Sequence, residues 1–600
     1  MNKLSEQASV NLSLCHGAVL PSSVFSANLP KMLERAAEYS TGIVLINGNQ
    51  STNFLAYSDL LAEAERVLAG LRQRNLQPQD QVILQLQDPR HFFVCLWGCF
   101  LGGFVPIPLG IELNGDRAAR SEASAKAYRS AYPLGYPKGN RRIQQAWELC
   151  NPSVVIADRD IADLATVKVV DLLGSDRDRH WHQGNLDDLA LLLLTSGSTG
   201  KPKGVMLSAR NLIANVYGMA TVNQLSQQDI TLNWMPLEHV ASLVMFHLTE
   251  VYLGCQQIQV KSEFILQNTL QWLDLIHQYR VSATWSPNFA YNLVNQQLGN
   301  LDNTVKHNWD LSCLRWMGNG AEAVVGKTMG QFLKLLAPYG LSPTVVSPGY
   351  GMSETTSGIA HWRAIDPSGS ALCLCQDTCP PQVLHQSPLQ NFYLNLNRES
   401  VSVGAPIPGV SLRIVDEGNQ VIPEGEVGLL QVKGETITAG YYQQSELNQE
   451  IFTDDGWFKT GDLGFLESGQ LTITGREKEV IIINGVNYYS HEIESVVEAI
   501  AGVSISYTAV CGVMDINQQE QIAVFFHTDY QGKELRGLIN TIRRDVFMQM
   551  GVTPVYIIPV TQETIPKTAI GKIRRSQLSQ RFAAGEFKAV ISQIEKLFNQ

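Results

Sequence analysis

Apolar and polar positions along this chain follow two periods, and the regular exchange of one for the other is its plainest feature. Between Asp59 and Leu71 the apolar side chains Leu61, Ala64, Val67, Leu68 and Leu71 fall at the i, i+3, i+4, i+7 spacing that predicts an amphipathic helix. The short apolar run 80–86 then predicts a strand. The pattern repeats downstream, with a helix near 89–101 and strands at 104–108, 154–157 and 187–195. A helix follows from Asn211, and helix, strand and helix again over 269–300. Such alternation favours an α/β architecture with largely parallel sheets. Residues 231–254 predict a strand, a turn at Pro236 and an apolar helix, with His239 at the junction. Further strands end in Trp285-Ser286-Pro287-Asn288, in Gly318-Asn319-Gly320-Ala321-Glu322, and in the run from Pro348 to Thr355. Polar or glycine-rich turns at several strand ends imply a shared crevice, where open α/β sheets bind ligands.

From Val401 the pattern becomes β-rich, with turns expected at Gly404, Pro408-Gly409, Gly418, Glu424-Gly425 and Gly434. The charged stretch 475–479 reads as a linker, which divides the chain into domains 1–478 and 479–600. The second part predicts an α+β domain with strands at 480–483 and 522–527 and helices at 490–501 and 533–550. The polar, Gly/Pro-punctuated run 112–142 reads as a surface insertion.

Composition narrows the classes. A chain of 600 residues exceeds what one hydrophobic core supports. With 44% hydrophobic and 17% charged residues it is globular, and a net charge of −11 without a basic run argues against nucleic-acid binding. The first residues lack the apolar core of a secretory signal. The uncharged stretch from Phe92 to Ile111 is broken by Gly102-Gly103, Pro106 and Pro108, so no membrane span is expected. Ten scattered cysteines fit a reducing, cytoplasmic setting. Cys373, Cys375 and Cys379, flanked by His361 and His385, match no familiar zinc spacing and read as free thiols in an insertion loop.

The stretch 191–208, LLLLTSGSTGKPKGVMLS, carries the chemistry. A buried strand empties into hydroxyls, glycines and lysines, a combination that suits a polyphosphate. An ordinary P-loop is excluded because Gly200-Lys201 is followed by Pro202 where a Ser or Thr is required.

With GYGMSET at 349–355, Thr460-Gly461-Asp462, Gly475-Arg476 and the terminal PKTAIGK at 566–572 in order behind it, the chain from about residue 30 to 590 resembles the adenylate-forming superfamily. That superfamily comprises acyl-CoA synthetases, peptide-synthetase adenylation domains, luciferases and fatty acyl-AMP ligases. The resemblance implies the ANL fold: a large N-terminal domain of two α/β sheet layers plus a distorted β-barrel, hinged to a small α+β C-terminal domain. It further implies that Thr195, Ser196, Gly197, Ser198, Thr199, Gly200 and Lys203 cradle the β- and γ-phosphates of ATP. Gly320, Ala321, Glu322, Tyr350, Gly351, Met352 and Ser353 would form the nucleotide slot, with the tyrosine ring on the base. Glu354 and Thr199 would hold Mg²⁺, Asp462 would take the ribose with Arg476 in support, and Glu479 would be the hinge. Lys572 would be the catalytic lysine that reaches the α-phosphate and the acyl oxygen. The need for that cation follows from the chemistry: a carboxylate attacking a phosphate brings negative charge onto a centre already negative.

The acid is read from 234–246. Amino-acid-activating relatives bind the substrate ammonium with an aspartate that aligns here with Val240, and an ammonium buried without a partner would be costly. Glu238 restores a carboxylate if the alignment slips by two. Trp234, His239, Val240 and Met245, with Met235, Leu243, Val244 and Phe246 nearby, suit an acyl chain or a hydroxy or keto acid. The stretch 484–494 resembles that of fatty acyl-AMP ligases (acyl-ACP synthetases) and of the acyl-ligase loading modules of polyketide and nonribosomal-peptide pathways. Those enzymes pass a fatty acyl adenylate to the phosphopantetheine of an acyl carrier protein. The extra 45 or so residues between Gly358 and Val403 are consistent with an insertion that such ligases carry. Transfer to CoA and activation of an α-hydroxy acid stand as alternatives. A non-catalytic adenylate-binding protein is disfavoured because every motif residue is present.

Overall fold

Six parallel strands lie side by side at the centre: Val346–Met352, Trp316–Asn319, Ala283–Ser286, Ile230–Asn233, Gln256–Val260 and Gly42–Ile46. The computed structural model describes residues 11–26, 28–46, 52–110, 141–158, 160–161, 166–196, 202–300, 307–363, 401–483, 486–514, 520–568 and 571–599. Thr52–Ala56 closes one edge antiparallel to its neighbour. At the other side the sheet changes sense. Ser357–His361 pairs antiparallel with Val346–Met352, and the strands Ser402–Pro406, Gln470–Arg476, Phe458–Glu467, Gly428–Gly434, Val410–Val415 and Leu14–His16 continue antiparallel to a total of fourteen. The strands expected in a distorted barrel thus extend the central sheet directly.

A second, four-stranded parallel sheet is formed by Val105–Pro108, Gln81–Gln85, Val154–Ala157 and Thr166–Val167. Every residue of Val105–Pro108 and Val154–Ala157 is buried, as expected of parallel strands covered on both faces. The helices Tyr57–Arg72 and Pro89–Gly102 pack on each other beside it, and the uncharged stretch at 92–111 is thereby a buried helix followed by a strand. No helix among the described residues is long and apolar enough to cross a membrane. The seven described cysteines are free thiols.

The C-terminal residues form their own three-stranded sheet, Thr508–Met514, Glu520–Phe526 and Tyr556–Pro559, packed with the helices Ser490–Glu498, Gly532–Met550 and Arg575–Ala583. Among the described residues, the two hydrophobic clusters of this part contain nothing earlier than Ile481.

Four expectations are corrected. Gly349 to Met352 are strand rather than turn, because pairing with Ser357–His361 carries the strand on as far as Met352. Gly404, at φ +96, is a bulge within Ser402–Pro406 and not a turn, since the register slips there against Gln470–Arg476. Gly475 and Arg476 lie in Gln470–Arg476 and pair with Leu463 and Asp462, which shortens the candidate linker to 477–479. The lysine-rich end of the 191–208 motif also folds into a strand: Pro202–Ser208 pairs antiparallel with Leu189–Ser196. The surface insertion at 112–142 falls almost wholly outside the described residues.

Glu479 is tied into the C-terminal part by Arg575. The Arg575 guanidinium donates to Glu479 at 3.0 Å and grips Glu494 with two further bonds of 2.8 and 2.6 Å. Glu494 also accepts from the Val510 backbone N–H. Removing Arg575 would leave a buried carboxylate without its counter-ion, a change that costs about 3 kcal/mol or more. Arg575→Ala is therefore expected to speed hydrogen exchange of the amides in Thr508–Met514. Unchanged protection in that strand would count against this role.

Candidate active site

The residues before the apolar helix of 231–254 set one wall of a cavity. The polypeptide leaves Ile230–Asn233, turns through Pro236, and winds into Ala241–Leu248 with π-helical hydrogen bonding, where an α-helix is the sequence-based expectation. His239 Nδ1 accepts the Ala241 backbone N–H at 3.2 Å, which places its proton on Nε2. Its ring stacks on Trp285 at 5.8 Å between centroids. Burial, with the Lys572 cation as a second cause, lowers the His239 pKa to about 4.

Trp285, the last residue but one of Ala283–Ser286, donates its indole N–H to Asn233 Oδ1 at 3.0 Å. Phe246 lies 6.2 Å from the Trp285 ring and 5.7 Å from that of Trp316. On the next strand Gly318, Asn319, Gly320 and Ala321 border the cavity, followed by Gly349 to Glu354. Tyr350 donates its hydroxyl to Asp462 Oδ2 at 2.5 Å, and Arg476 Nε pairs with Asp462 Oδ1 at 2.9 Å. Glu354 accepts from the Tyr441 hydroxyl at 2.7 Å.

The loop bearing Lys572 closes the cavity from the C-terminal side. Thr568 and Lys572 exchange hydrogen bonds of 2.7 and 3.1 Å, with Gly571 at φ +83. A Cβ at Gly571 would stand 3.1 Å from the Phe289 ring, so a glycine allows both the backbone conformation and the close approach. Burial and the neighbouring Arg476 push the Lys572 ammonium down to about 8, while Asp462 and Glu479 act the other way.

The resulting cavity, about 460 Å³, gathers residues from all these elements. Of the residues singled out in the sequence, Thr195, His239, Val240, Met245, Gly320, Ala321, Tyr350, Gly351, Met352, Ser353, Glu354, Arg476 and Lys572 line it. Asp462 stands directly behind Tyr350 and Arg476. Glu322 accepts the Phe289 backbone N–H at 2.6 Å, and burial raises its carboxyl to about 7. Lys203 lies over the Tyr441 ring at 4.6 Å. Trp234 is a correction: it is fully buried among Trp272 and Phe289 and belongs to the core rather than to the cavity wall. Leu243 and Val244 likewise point into the second hydrophobic cluster. Gly197, Ser198, Thr199, Gly200 and Lys201, and the side chain of Ser196, lie outside the described residues, as do Cys373, Cys375, Cys379 and His385.

Sequence reasoning missed Trp316, Ser347, Ser357, Gly358, His361 and Arg574, all of which border the cavity. Trp316 opens a strand whose other end the glycine-rich turn marks in the sequence. In the sequence His361 reads only as a flank of the cysteine cluster, and the antiparallel pairing of Ser357–His361 with Val346–Met352 brings it to this wall.

A phosphate-suited sequence on the paired strands Leu189–Ser196 and Pro202–Ser208, a tyrosine–aspartate–arginine cluster and a lysine supplied by the C-terminal part define an adenylate-forming enzyme. The chain belongs to the AMP-binding enzyme family, whose pattern matches residues 33–442. It is 31% identical over 577 residues to the nonribosomal peptide synthetase apvA of Aspergillus terreus, covering 93% of this chain and 58% of that protein. It is 28% identical to the microperfuranone synthase of Emericella nidulans, covering 94% and 58%. The chain thus spans little more than half the length of these relatives. Among solved structures it superposes on McyG A-PCP complexed with phenylalanyl-adenylate with a TM-score of 0.84 at 34% identity, covering 98% of this chain and 87% of that one. A multidomain structure from a keto acid-selecting peptide-synthetase module gives 0.82 at 34%, covering 97% and 48%. A fatty acyl-adenylate ligase shares the fold at 23% identity and a TM-score of 0.77, covering 94% and 99%.

Because burial keeps the His239 imidazole neutral down to about pH 4, its Cε1–H resonance is expected to hold its neutral position from pH 8 to 5. A midpoint above 6 in an NMR titration would contradict the buried placement.

Proposed function

We propose that this chain activates a carboxylic acid without an α-ammonium group, a 2-oxo acid with a compact or aromatic side chain, as its acyl adenylate. The acyl group then passes to the phosphopantetheine thiol of a carrier protein. The carrying observation is the wall next to His239. Val240, buried to 95%, and its neighbours Ala241 and Met245 meet Trp285 and Trp316 there, leaving apolar and aromatic surface where an ammonium would need a carboxylate. The keto acid-selecting neighbours at 32–34% identity support the same reading. A long fatty acid is the weaker form of it, because one cavity of about 460 Å³ has to hold the nucleotide as well as the acid. Glu238 also borders the cavity, so the decisive comparison is between matched amino and oxo acids.

The roles follow from position. ATP would lie with its base against Tyr350 and its ribose hydroxyls on Asp462, already fixed by Arg476. Lys572, brought in by its turn, would stabilise charge developing on the α-phosphate and the attacking carboxylate. Glu354 keeps one carboxylate oxygen beyond the bond to Tyr441, and a single carboxylate suits a magnesium ion held mainly by phosphates. When bound, that ion would neutralise the departing pyrophosphate. The 480–600 part would carry Lys572 away after adenylation, with the hinge at Glu479.

Pyrophosphate exchange with phenylpyruvate, phenylalanine, α-hydroxy acids and straight-chain acids from C2 to C16 tests the reading. The oxo acid should exceed the amino acid at least ~10-fold, and Val240→Asp should narrow or invert that ratio. Preference of the parent enzyme for phenylalanine would overturn the assignment, and formation of CoA thioester in preference to carrier-bound acyl would overturn the acceptor.

Lys572→Ala should lower acid-dependent exchange by about 100-fold or more. The catalytic form is the ammonium, and its pKa in the free enzyme is lowered to about 8, so kcat/KM for exchange should be full below that value and fall as pH rises through it. Full exchange activity at pH 9.5, or in Lys572→Ala, would remove this lysine from the mechanism.

A further inference from the structure

Residues 438–442 form a strap that is bound on two sides. The Gly440 carbonyl accepts the Met206 backbone N–H at 3.1 Å, and the Tyr442 N–H donates to the Gly204 carbonyl at 2.7 Å. The strap thus runs antiparallel beside Pro202–Ser208, with Tyr441 opposite Val205. Thr438 donates its backbone N–H to the Glu354 carbonyl at 2.9 Å. One short segment therefore ties the strand that carries Lys203 to the residue that would hold magnesium. Tyr441 is fixed within it, since Asn448 accepts its backbone N–H at 2.7 Å and donates to its carbonyl at 2.9 Å. Gly440 makes that clamp possible: its φ is +129, and a Cβ there would stand 2.6 Å from the Asn448 amide.

The Tyr441 side chain is buried and meets both groups. Its hydroxyl donates to Glu354 Oε1 at 2.7 Å, and the Lys203 ammonium lies over its ring, 4.6 Å from the centroid. Packing alone does not call for the hydroxyl, since a phenylalanine ring would fill the same space. A hydroxyl donated to a carboxylate makes a charge-assisted bond that fixes how the carboxylate is turned. With one oxygen held in this way, the other is left to serve a cation in the cavity whose wall Glu354 forms. The ring face attracts the ammonium without using up its three N–H donors, so Lys203 keeps them for a phosphate.

We propose that Tyr441 is a positioning residue for the triphosphate end of ATP, its hydroxyl orienting the Glu354 carboxylate and its ring placing the Lys203 cation. It acts through these two side chains, which meet the metal ion and the departing pyrophosphate from one preset arrangement. The hydroxyl and the ring serve different partners, so they are separable: loss of the hydroxyl disturbs the carboxylate alone, and loss of the ring disturbs the cation as well. This inference deepens the proposed adenylation and rests on the reading that the cavity holds ATP with a divalent cation.

The test uses the full chain with α,β-methylene-ATP, which cannot be cleaved at the α-phosphate, and with Mn²⁺ as the probe ion, its free concentration read by electron paramagnetic resonance. Dissociation constants are compared, so a reduced active fraction does not affect the result. Tyr441→Phe should weaken Mn²⁺ binding to the nucleotide complex about 10-fold, the size expected when the partner that orients a metal ligand is lost. It should leave nucleotide binding in EDTA unchanged. Tyr441→Leu should in addition weaken binding in EDTA about 3-fold, through loss of the ring beneath Lys203. In a Glu354→Gln background, Tyr441→Phe should change Mn²⁺ affinity no further, a coupling that a purely structural role would not produce. Unchanged Mn²⁺ affinity in Tyr441→Phe overturns the proposal, as does the same 10-fold loss in the Glu354→Gln background. Equal binding in EDTA by Tyr441→Phe and Tyr441→Leu overturns the part assigned to Lys203. A parent protein that binds no nucleotide, with Mn²⁺ or without, would instead strike down the underlying reading of the cavity.

Discussion

The carboxylate of Asp462 is the constraint around which the cavity is arranged. It is buried, and two groups from different strands converge on it, the Tyr350 hydroxyl on one oxygen and the Arg476 guanidinium on the other. A buried carboxylate needs such partners, so the demand of one side chain fixes the aromatic face and the cation of the site together. Its negative charge also favours the ammonium of Lys572, which Arg476 alone would repel. The C-terminal loop can therefore present its lysine here at modest electrostatic cost.

The central sheet explains where these groups meet. Parallel strands end with their polar turns on one side, and the change to antiparallel pairing at Val346–Met352 folds a further strand, Ser357–His361, back along the same edge. The reversal brings residues from two strand directions onto one wall. It is the counterpart, in this topology, of the crevice that forms wherever the connections of an open α/β sheet diverge.

Much of this was legible in the chain. The periodicity located the helix Tyr57–Arg72 and the strand Val154–Ala157, and the motif residues Tyr350, Glu354, Arg476 and Lys572 do come to one cavity. What the sequence concealed has identifiable physical causes. Trp234, just past the strand Ile230–Asn233, and Trp285, inside Ala283–Ser286, have the same chemistry, and only tertiary packing decides that the first is core and the second is wall. Gly404 and Gly349 look like turn residues because glycine marks turns and bulges alike, and pairing partners far along the chain settle which it is. His361 carries no local signal of the wall it reaches, where the two glycines Gly349 and Gly358 leave room for its ring.

The π-helical winding of Ala241–Leu248 has a consequence for how the acid wall can change. Such a turn accommodates one residue more than an α-helical turn of the same span. Deleting a single residue would return it to the α-helical repeat and rotate the flanking side chains by about 100° relative to one another. Val240, Ala241 and Met245 would then no longer share their present face. The wall that meets the acid can thus be re-dealt by a change in length, exchanging several contacts at once, where substitution alters them one at a time.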